Sequence, residues 1–142
     1  AYTDLSSFKL YMSDVGLLRR KANLDSRIVI EGNRLFEEFK GALTENFILN
    51  MLLFKFDNRP NYYVFDRHEI DFIIQYKNEI IPIEVKAGES VNNTSLTKFN
   101  EANKNKISIR FSTKNLDKSG KILNVPIFMA EYVDKLISIE LE

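Results

Sequence analysis

The sequence contains no cysteine and only one histidine, His68. The lack of cysteine excludes disulfides, thiolate nucleophiles, zinc–thiolate clusters and iron–sulfur centres. A single histidine excludes histidine-rich metal sites, and any Ser-His relay would depend on His68 alone. Since His68 falls at a turn before a predicted strand, we assign it no catalytic role.

The chain also has no excess charge of one sign and no long apolar run. Lysine plus arginine and aspartate plus glutamate number 20 each, so the formal net charge is zero and no global basic field indicates nucleic acid. No apolar run approaches the roughly 18 residues that a membrane span needs. No basic segment followed by an apolar one opens the chain, so we expect no signal peptide. We therefore expect a soluble, cytoplasmic protein with no membrane partner.

The length and the apolar content are sufficient for one domain. With 142 residues, 44% of them hydrophobic, a chain of this size can bury roughly 68–70% of its unfolded surface and needs no disulfide or metal to hold a core. No repeat or internal boundary is visible, so we predict a single domain over residues 1–142. Because the first residue is Ala rather than Met, we expect a piece of a longer protein.

Hydrophobic periodicity alternates between helical and strand periods along the chain. A long helix is predicted over 33–54, with Asn33 as N-cap, because apolar residues recur at steps of three and four. From 61 onward the period becomes two, which predicts a hairpin of strands around Lys77-Asn78. The predicted elements are strand 8–12, turn 13–16, helical turn 17–21, helix 33–54, strands 62–65, 69–76 and 79–86, helix 90–103, strand 107–111, a charged loop over 112–121, strand 125–129 and helix 130–136.

The order of these elements predicts an α/β fold with a mixed central sheet flanked by helices. The helix over 90–103 is expected to be capped by Asn92, Asn93 or Thr94. Because Pro126 cannot donate a hydrogen bond to a neighbouring strand, strand 125–129 is predicted to lie at an edge of the sheet.

Two acidic residues in the predicted hairpin suggest a reactive site. Side chains alternate along a strand, so Glu84 and Lys86 lie on one face with Val85 opposite, and an antiparallel neighbour would bring Asp71 beside Glu84. Two carboxylates about 4 Å apart repel by roughly 4 kcal/mol at an effective dielectric near 20. A divalent cation or a shared proton would neutralise such a pair, and hard oxygen ligands suit Mg²⁺ or Mn²⁺. The alternative is a cross-strand salt bridge on a solvated face.

A third carboxylate, Glu45, is the only charged residue between Gly41 and Phe54 in the apolar long helix. Burial of an isolated carboxylate is costly unless it finds a partner. A metal held by Asp71 and Glu84 would supply one, and Lys86 is another. Glu45 alternatively pairs with another basic residue or reaches solvent.

A local excess of positive charge lies between Ser90 and Lys121, where seven basic residues face only two acidic ones. Such a face can lie along phosphates, with a binding strength that falls as salt rises. The alternative is a surface that lysine simply solvates. The candidate nucleic-acid-binding residues in this stretch are Ser95, Lys98, Lys104, Lys106 and Arg110.

The acidic residues and Lys86 carry a family resemblance. Asp71 followed by Glu84-Val85-Lys86, with Glu45 on the preceding helix, resembles the PD-(D/E)XK signature of restriction-endonuclease-like nucleases, although Ile70 replaces the proline that usually precedes the first acid. The surrounding order of helix, three strands, helix and strand resembles the αβββαβ core of that superfamily. The resemblance implies a restriction-endonuclease-like fold.

A closer resemblance covers nearly the whole chain. It is to the uncharacterised C-terminal domain of prokaryotic AAA-type ATP-binding proteins, in which a nucleotide-binding module lies upstream. The sequence has no G-x-x-x-x-G-K-[ST] motif, so we expect no ATP site of the P-loop type in this chain. The segments that carry the resemblance are FKLYMSDVGL (8–17), GALTENF (41–47), EIDFI (69–73), IPIEVKAG (81–88) and VPIFMA (125–130).

The resemblance implies roles for individual residues. Asp71, Glu84 and the carbonyl of Val85 would hold Mg²⁺, with Glu45 joining directly or through water. The metal would polarise a DNA phosphodiester and lower the pKa of a bound water. Lys86 would orient that water and offset charge at phosphorus. The expected function is a metal-dependent DNA nuclease, hence a hydrolase, that forms the C-terminal module of an AAA-type ATPase. The alternative is a non-catalytic regulatory, protein-interaction or DNA-binding module of that ATPase.

Overall fold

A computed structural model describes residues 8–25, 27, 34–88 and 94–142, with the side chains of the long helix described from Phe39 onward. The helices are α1 (Val15–Lys21), α2 (Arg34–Lys55), α3 (Thr94–Ala102), a 3₁₀ helix (Ile127–Tyr132) and α4 (Val133–Leu141). The strands are β1 (Asn61–Phe65), β2 (His68–Tyr76), β3 (Glu79–Lys86), β4 (Ser108–Ser112), β5 (Asp117–Ser119) and β6 (Ile122–Pro126).

The strands of the described ranges form one mixed sheet in the order β1-β2-β3-β4-β6-β5. β1, β2 and β3 form an antiparallel meander, as the period-two stretch predicted. β4 then pairs in parallel with both β3 and β6, and β5 closes the sheet as an antiparallel edge strand. The predicted mixed α/β architecture with flanking helices is confirmed.

Two apolar clusters place the helices on opposite faces of the sheet. α2 and α4 pack on one face, where Ile48, Phe111 and Ile137 are fully buried. α3 contributes Leu96 and Phe99 to a second cluster that contains Ile122. Since Leu123 belongs to the first cluster and neighbouring strand residues point to opposite faces, α3 covers the other face of the sheet.

The N-terminal strand prediction was wrong. Residues 8–12 form no strand, and the Asn46 side chain rather than a neighbouring strand bonds the backbone of Met12. Its Oδ1 accepts a hydrogen bond from the Met12 amide at 2.8 Å, and its Nδ2 donates to the Met12 carbonyl at 3.0 Å. The predicted turn over 13–16 contains the start of α1, since the Asp14 side chain accepts a hydrogen bond from the Leu17 amide as N-cap.

The predicted edge position of the strand with Pro126 was also wrong. β6 lies between β4 and β5, and all five of its residues are buried. Pro126 ends the strand, where its missing N–H interrupts no ladder within the strand. The edge on that side of the sheet is formed by β5, three exposed polar residues inside the predicted charged loop, which carry no apolar alternation.

Most remaining boundaries agree with the sequence to within a few residues, but residues 127–129 of the predicted strand belong to the 3₁₀ helix, and the last helix continues to Leu141, beyond its predicted end at residue 136. The predicted caps Asn33, Asn92 and Asn93 lie outside the described residues, and Thr94 is the first described residue of α3. The tail begins as a 3₁₀ helix before it becomes α4. Among the described residues, no helix has both the length and the apolar character that a membrane crossing requires.

Candidate active site

The candidate site lies where β2 and β3 separate. Their backbone pairing extends from Tyr76↔Glu79 to Phe72↔Ile83 and ends there. Directly beyond that point, Oδ2 of Asp71 accepts a hydrogen bond from the Val85 amide at 2.7 Å. The Asp71 carboxylate therefore satisfies a backbone donor at the point where the paired register ends.

The surroundings of Asp71 disfavour its negative charge. Burial is the main reason that the pKa of Asp71 rises from 3.8 to about 6, and the charges of Glu45 and Glu84 raise it further. The hydrogen bond from Val85 and the charge of Lys9 act in the opposite direction. Asp71 therefore lies within the electrostatic reach of both other candidate carboxylates, and either a bound proton or a bound cation would stabilise it.

Glu84 and Lys86 form an ion pair on one face of β3, as their alternate spacing allows. Glu84 is only 4% exposed, so the carboxylate of this pair is almost entirely shielded from water. Oε1 of Glu84 contacts the Lys86 ammonium, whereas Oε2 is buried with no hydrogen-bond partner among the described residues. This second oxygen is a buried acceptor whose desolvation has not been offset.

Glu45 has partners that sequence reasoning missed. Its Oε1 accepts a hydrogen bond from the Tyr11 hydroxyl and another from the Lys9 ammonium, which lies 3.2 Å away. Lys9 pairs with Glu69 as well. Burial and the hydrogen bond to Glu45 hold the pKa of Tyr11 above its usual range. A basic residue therefore pairs with Glu45, as one alternative from the sequence allowed, but its identity could not be predicted, because Lys9 and Glu45 are 36 positions apart.

The donor set fits a hard cation only in part. Within the described ranges, no three histidine, aspartate or glutamate residues are arranged to hold a metal ion. Asp71 and Glu84 nevertheless interact through their charges, and Glu84 Oε2 is a buried oxygen with no described partner. Asp71 and Glu84 both offer carboxylate oxygens, which are ligands that Mg²⁺ and Mn²⁺ prefer. Glu45 offers its other oxygen, since Lys9 and Tyr11 both contact Oε1.

The predicted nucleic-acid-binding residues lie on α3, on β4 and in the segment between them. Lys106 pairs with Glu79 at 2.8 Å, at the start of β3. Its position is four residues before Arg110, or roughly 13 Å along an extended chain. Lys98 lies exposed on α3, Lys104 is exposed just beyond it, and Ser95 is half-buried. Of this set, the strand register places Arg110 directly beside Glu84.

Arg110 belongs to a polar row across three neighbouring strands, Glu84↔Arg110↔Asn124. Its Nε donates to Asn124 Oδ1 at 2.8 Å, and the Ser112 hydroxyl donates to the same oxygen at 2.6 Å. Burial lowers the pKa of Arg110, although Asp117 and Glu84 act in the opposite sense. Asn124 was missed from the sequence, yet a lone amide within the apolar run Ile122–Pro126 was a usable signal.

A cleft of about 420 Å³ opens beside Glu45. Lys9, Tyr11, Glu45 and Asn46 contribute its polar lining, and Leu10 and Leu18 are among its apolar residues. Glu45 therefore borders a space that can admit part of a ligand, whereas Asp71 and Glu84 do not line it.

Comparison with known proteins identifies a family but no individual relative. No curated protein and no solved structure matches the chain. Residues 40–128, more than half of the chain, match the family described as a domain of unknown function, DUF4143. The match includes Glu45, Asp71, Glu84 and Lys86. The chain therefore belongs to the DUF4143 family, whose domain is found in AAA-ATPase-associated proteins.

Proposed function

We propose that this protein is a restriction-endonuclease-like, metal-dependent nuclease domain that hydrolyses DNA phosphodiester bonds in the cytoplasm. The observation that carries the proposal is the position of Asp71, where β2 and β3 separate, within electrostatic reach of Glu45 and Glu84. Carboxylates that are partly or fully removed from water seldom lie within reach of one another unless a proton, a cation or chemistry requires them.

Each residue has a part in this proposal. Asp71, Glu84, the carbonyl of Val85 and one oxygen of Glu45 would hold Mg²⁺ or Mn²⁺, which when bound lowers the pKa of a water and polarises the phosphodiester. Lys86, held by Glu84, would orient the attacking water and offset charge on the phosphate. It would act through its positive charge rather than as a base.

The proposal includes partners. The association of the family with AAA-ATPase-associated proteins supports an upstream ATPase module in a longer chain. DNA is the proposed substrate, and Arg110 is the predicted basic residue whose position beside Glu84 suits contact with a phosphate near the acids. Ser95, Lys98, Lys104 and Lys106 would contact more distant phosphates.

The test is cleavage of single- and double-stranded DNA with Mg²⁺ or Mn²⁺, with the chain alone and with the ATPase module present. Wild type is compared with Lys86→Met and Glu84→Gln. The matched control is Lys135→Met, which removes an exposed lysine that lies over the Tyr132 ring, outside the basic stretch 90–121. We expect cleavage by wild type and by the control, and a loss of at least about 100-fold in both site variants. Equal cleavage by all four proteins, or none from any of them in either setting, refutes the nuclease.

A second candidate is a non-catalytic regulatory, protein-interaction or DNA-binding module of the ATPase. The observation that favours it is the internal neutralisation of the acids, since Lys86 pairs with Glu84 and Lys9 pairs with Glu45. On this reading, Glu84→Gln leaves Mn²⁺ binding unchanged and no cleavage occurs. If DNA binding alone is the activity, the affinity falls with salt and is lost on substitution of Lys98, Lys104 and Arg110.

A further inference from the structure

The segment 8–12 packs against α2 and β2 beside the candidate site. The Asn46 side chain, 1% exposed, holds the backbone of Met12 through a donor and an acceptor together. The Tyr11 ring packs against Phe72, with ring centroids 5.9 Å apart. Phe72 immediately follows Asp71 in β2. These anchors fix where the side chains of Lys9 and Tyr11 fall.

Both of those side chains meet at one oxygen. The Tyr11 hydroxyl and the Lys9 ammonium donate to Oε1 of Glu45, whose side chain is 25% exposed. Lys9 also bridges from Glu45 to Glu69, two residues before Asp71. With Oε1 engaged twice, the carboxylate of Glu45 has a defined orientation, and its charge acts on Asp71.

We propose that Tyr11 is a positioning residue of the acid site, which holds the Glu45 carboxylate in place, and that Lys9 is the internal counter-cation against which a divalent ion must bind. The inference rests on the proposed function, because it assumes that the acids bind a divalent cation. The nuclease signature in the sequence includes neither residue, and both lie outside the matched residues 40–128.

The two residues have opposite expected effects on cation binding. Tyr11 is neutral and only orients Glu45, so its loss leaves the charge of the site unchanged but loosens one ligand. Lys9 brings a positive charge to the acids, and like charges repel. Its removal therefore strengthens the attraction for Mn²⁺. A contact that only stabilised the fold would not produce effects of opposite sign.

The experiment is a titration of the whole chain with Mn²⁺, followed by electron paramagnetic resonance of the free ion. Tyr11→Phe keeps the ring against Phe72 and removes only the hydroxyl, so the fold should survive. Lys9→Met keeps the approximate length of the side chain and removes its charge, whereas Lys9→Arg keeps the charge. The matched controls are Tyr132→Phe, whose hydroxyl bonds Glu131 on the surface, and Lys118→Met.

We expect Tyr11→Phe to weaken Mn²⁺ binding by about fivefold, the equivalent of one hydrogen bond. Lys9→Met should tighten it by about fivefold, the equivalent of one nearby screened charge. Lys9→Arg and both controls should remain within about twofold of wild type. Changes of the same sign in Tyr11→Phe and Lys9→Met, or no change in either while wild type binds, overturn the inference and leave the nuclease proposal intact. If wild type itself binds no Mn²⁺, the metal site fails and the inference fails with it.

Discussion

Replacement of Asp71 by asparagine should stabilise the fold at neutral pH. In the folded state its surroundings raise the pKa of Asp71 from 3.8 to about 6, mainly because the half-buried carboxyl is partly removed from water. Between these two values the folded protein keeps a proton that the unfolded chain has released. Stability from this group is therefore greatest below about pH 4 and falls as pH rises to about 6.

The magnitude follows from the difference between the two pKa values. About 2 pH units at 1.36 kcal/mol each amount to about 3 kcal/mol that the ionised carboxylate costs the folded state at pH 7.5. Asparagine carries no charge there and still offers an oxygen to the Val85 amide. We therefore expect Asp71→Asn to be more stable than wild type by about 1–3 kcal/mol at pH 7.5 and nearly equal at pH 4.

Urea denaturation followed by circular dichroism at pH 4, 5, 6 and 7.5 measures this difference. Groups that titrate alike in both proteins do not contribute to this difference in stability. Asp57→Asn, at an exposed position, controls for the loss of one acidic residue. Mn²⁺ that binds at Asp71 should narrow the gap at pH 7.5, because it stabilises wild type more than the variant. A difference that does not change between pH 4 and 7.5, or an Asn variant less stable than wild type at neutral pH, would refute the reasoning.

Three further predictions test the packing of the site and the core. Lys86→Met should destabilise the fold by about 1–3 kcal/mol, because Glu84 loses its described counter-ion while buried, and addition of Glu84→Gln should recover part of that loss in urea denaturation. Asn46→Ala removes both hydrogen bonds to Met12 and should cost about 1–3 kcal/mol, with faster limited proteolysis near residues 8–12 as the direct measurement. Phe111→Ala should cost about 3–5 kcal/mol in thermal or urea unfolding, because Phe111 is fully buried, whereas Phe128→Ala, at a side chain 80% exposed, should cost less than about 1 kcal/mol.

The long helix and the central hairpin could be predicted because their signals are local. The apolar residues of α2 recur at helical steps, and Lys77-Asn78 separates two stretches of strand period. The alternation that put Glu84 and Lys86 on one face follows from the geometry of any strand. Each of these inferences depends on residues within a few positions of one another, and the structure agrees with them.

The errors fell where a distant partner determines the outcome. Residues 8–12 have strand composition, yet the Asn46 side chain occupies the place of a neighbouring strand. Pro126 suggests an edge, but the strand that it ends, β6, lies between β4 and β5 in the sheet. Local composition cannot specify such neighbours, because their free energy comes from packing between segments far apart in the chain.

The same distinction applies to the candidate site. Glu45, Asp71, Glu84 and Lys86 could be selected from the sequence because charged residues in apolar segments require partners. Which partners they find was decided by tertiary packing, which brings Lys9 and Tyr11 to Glu45 and places Arg110 beside Glu84. Local order along the chain determines which face a side chain occupies, whereas only the assembled sheet and helices determine which charges meet across it.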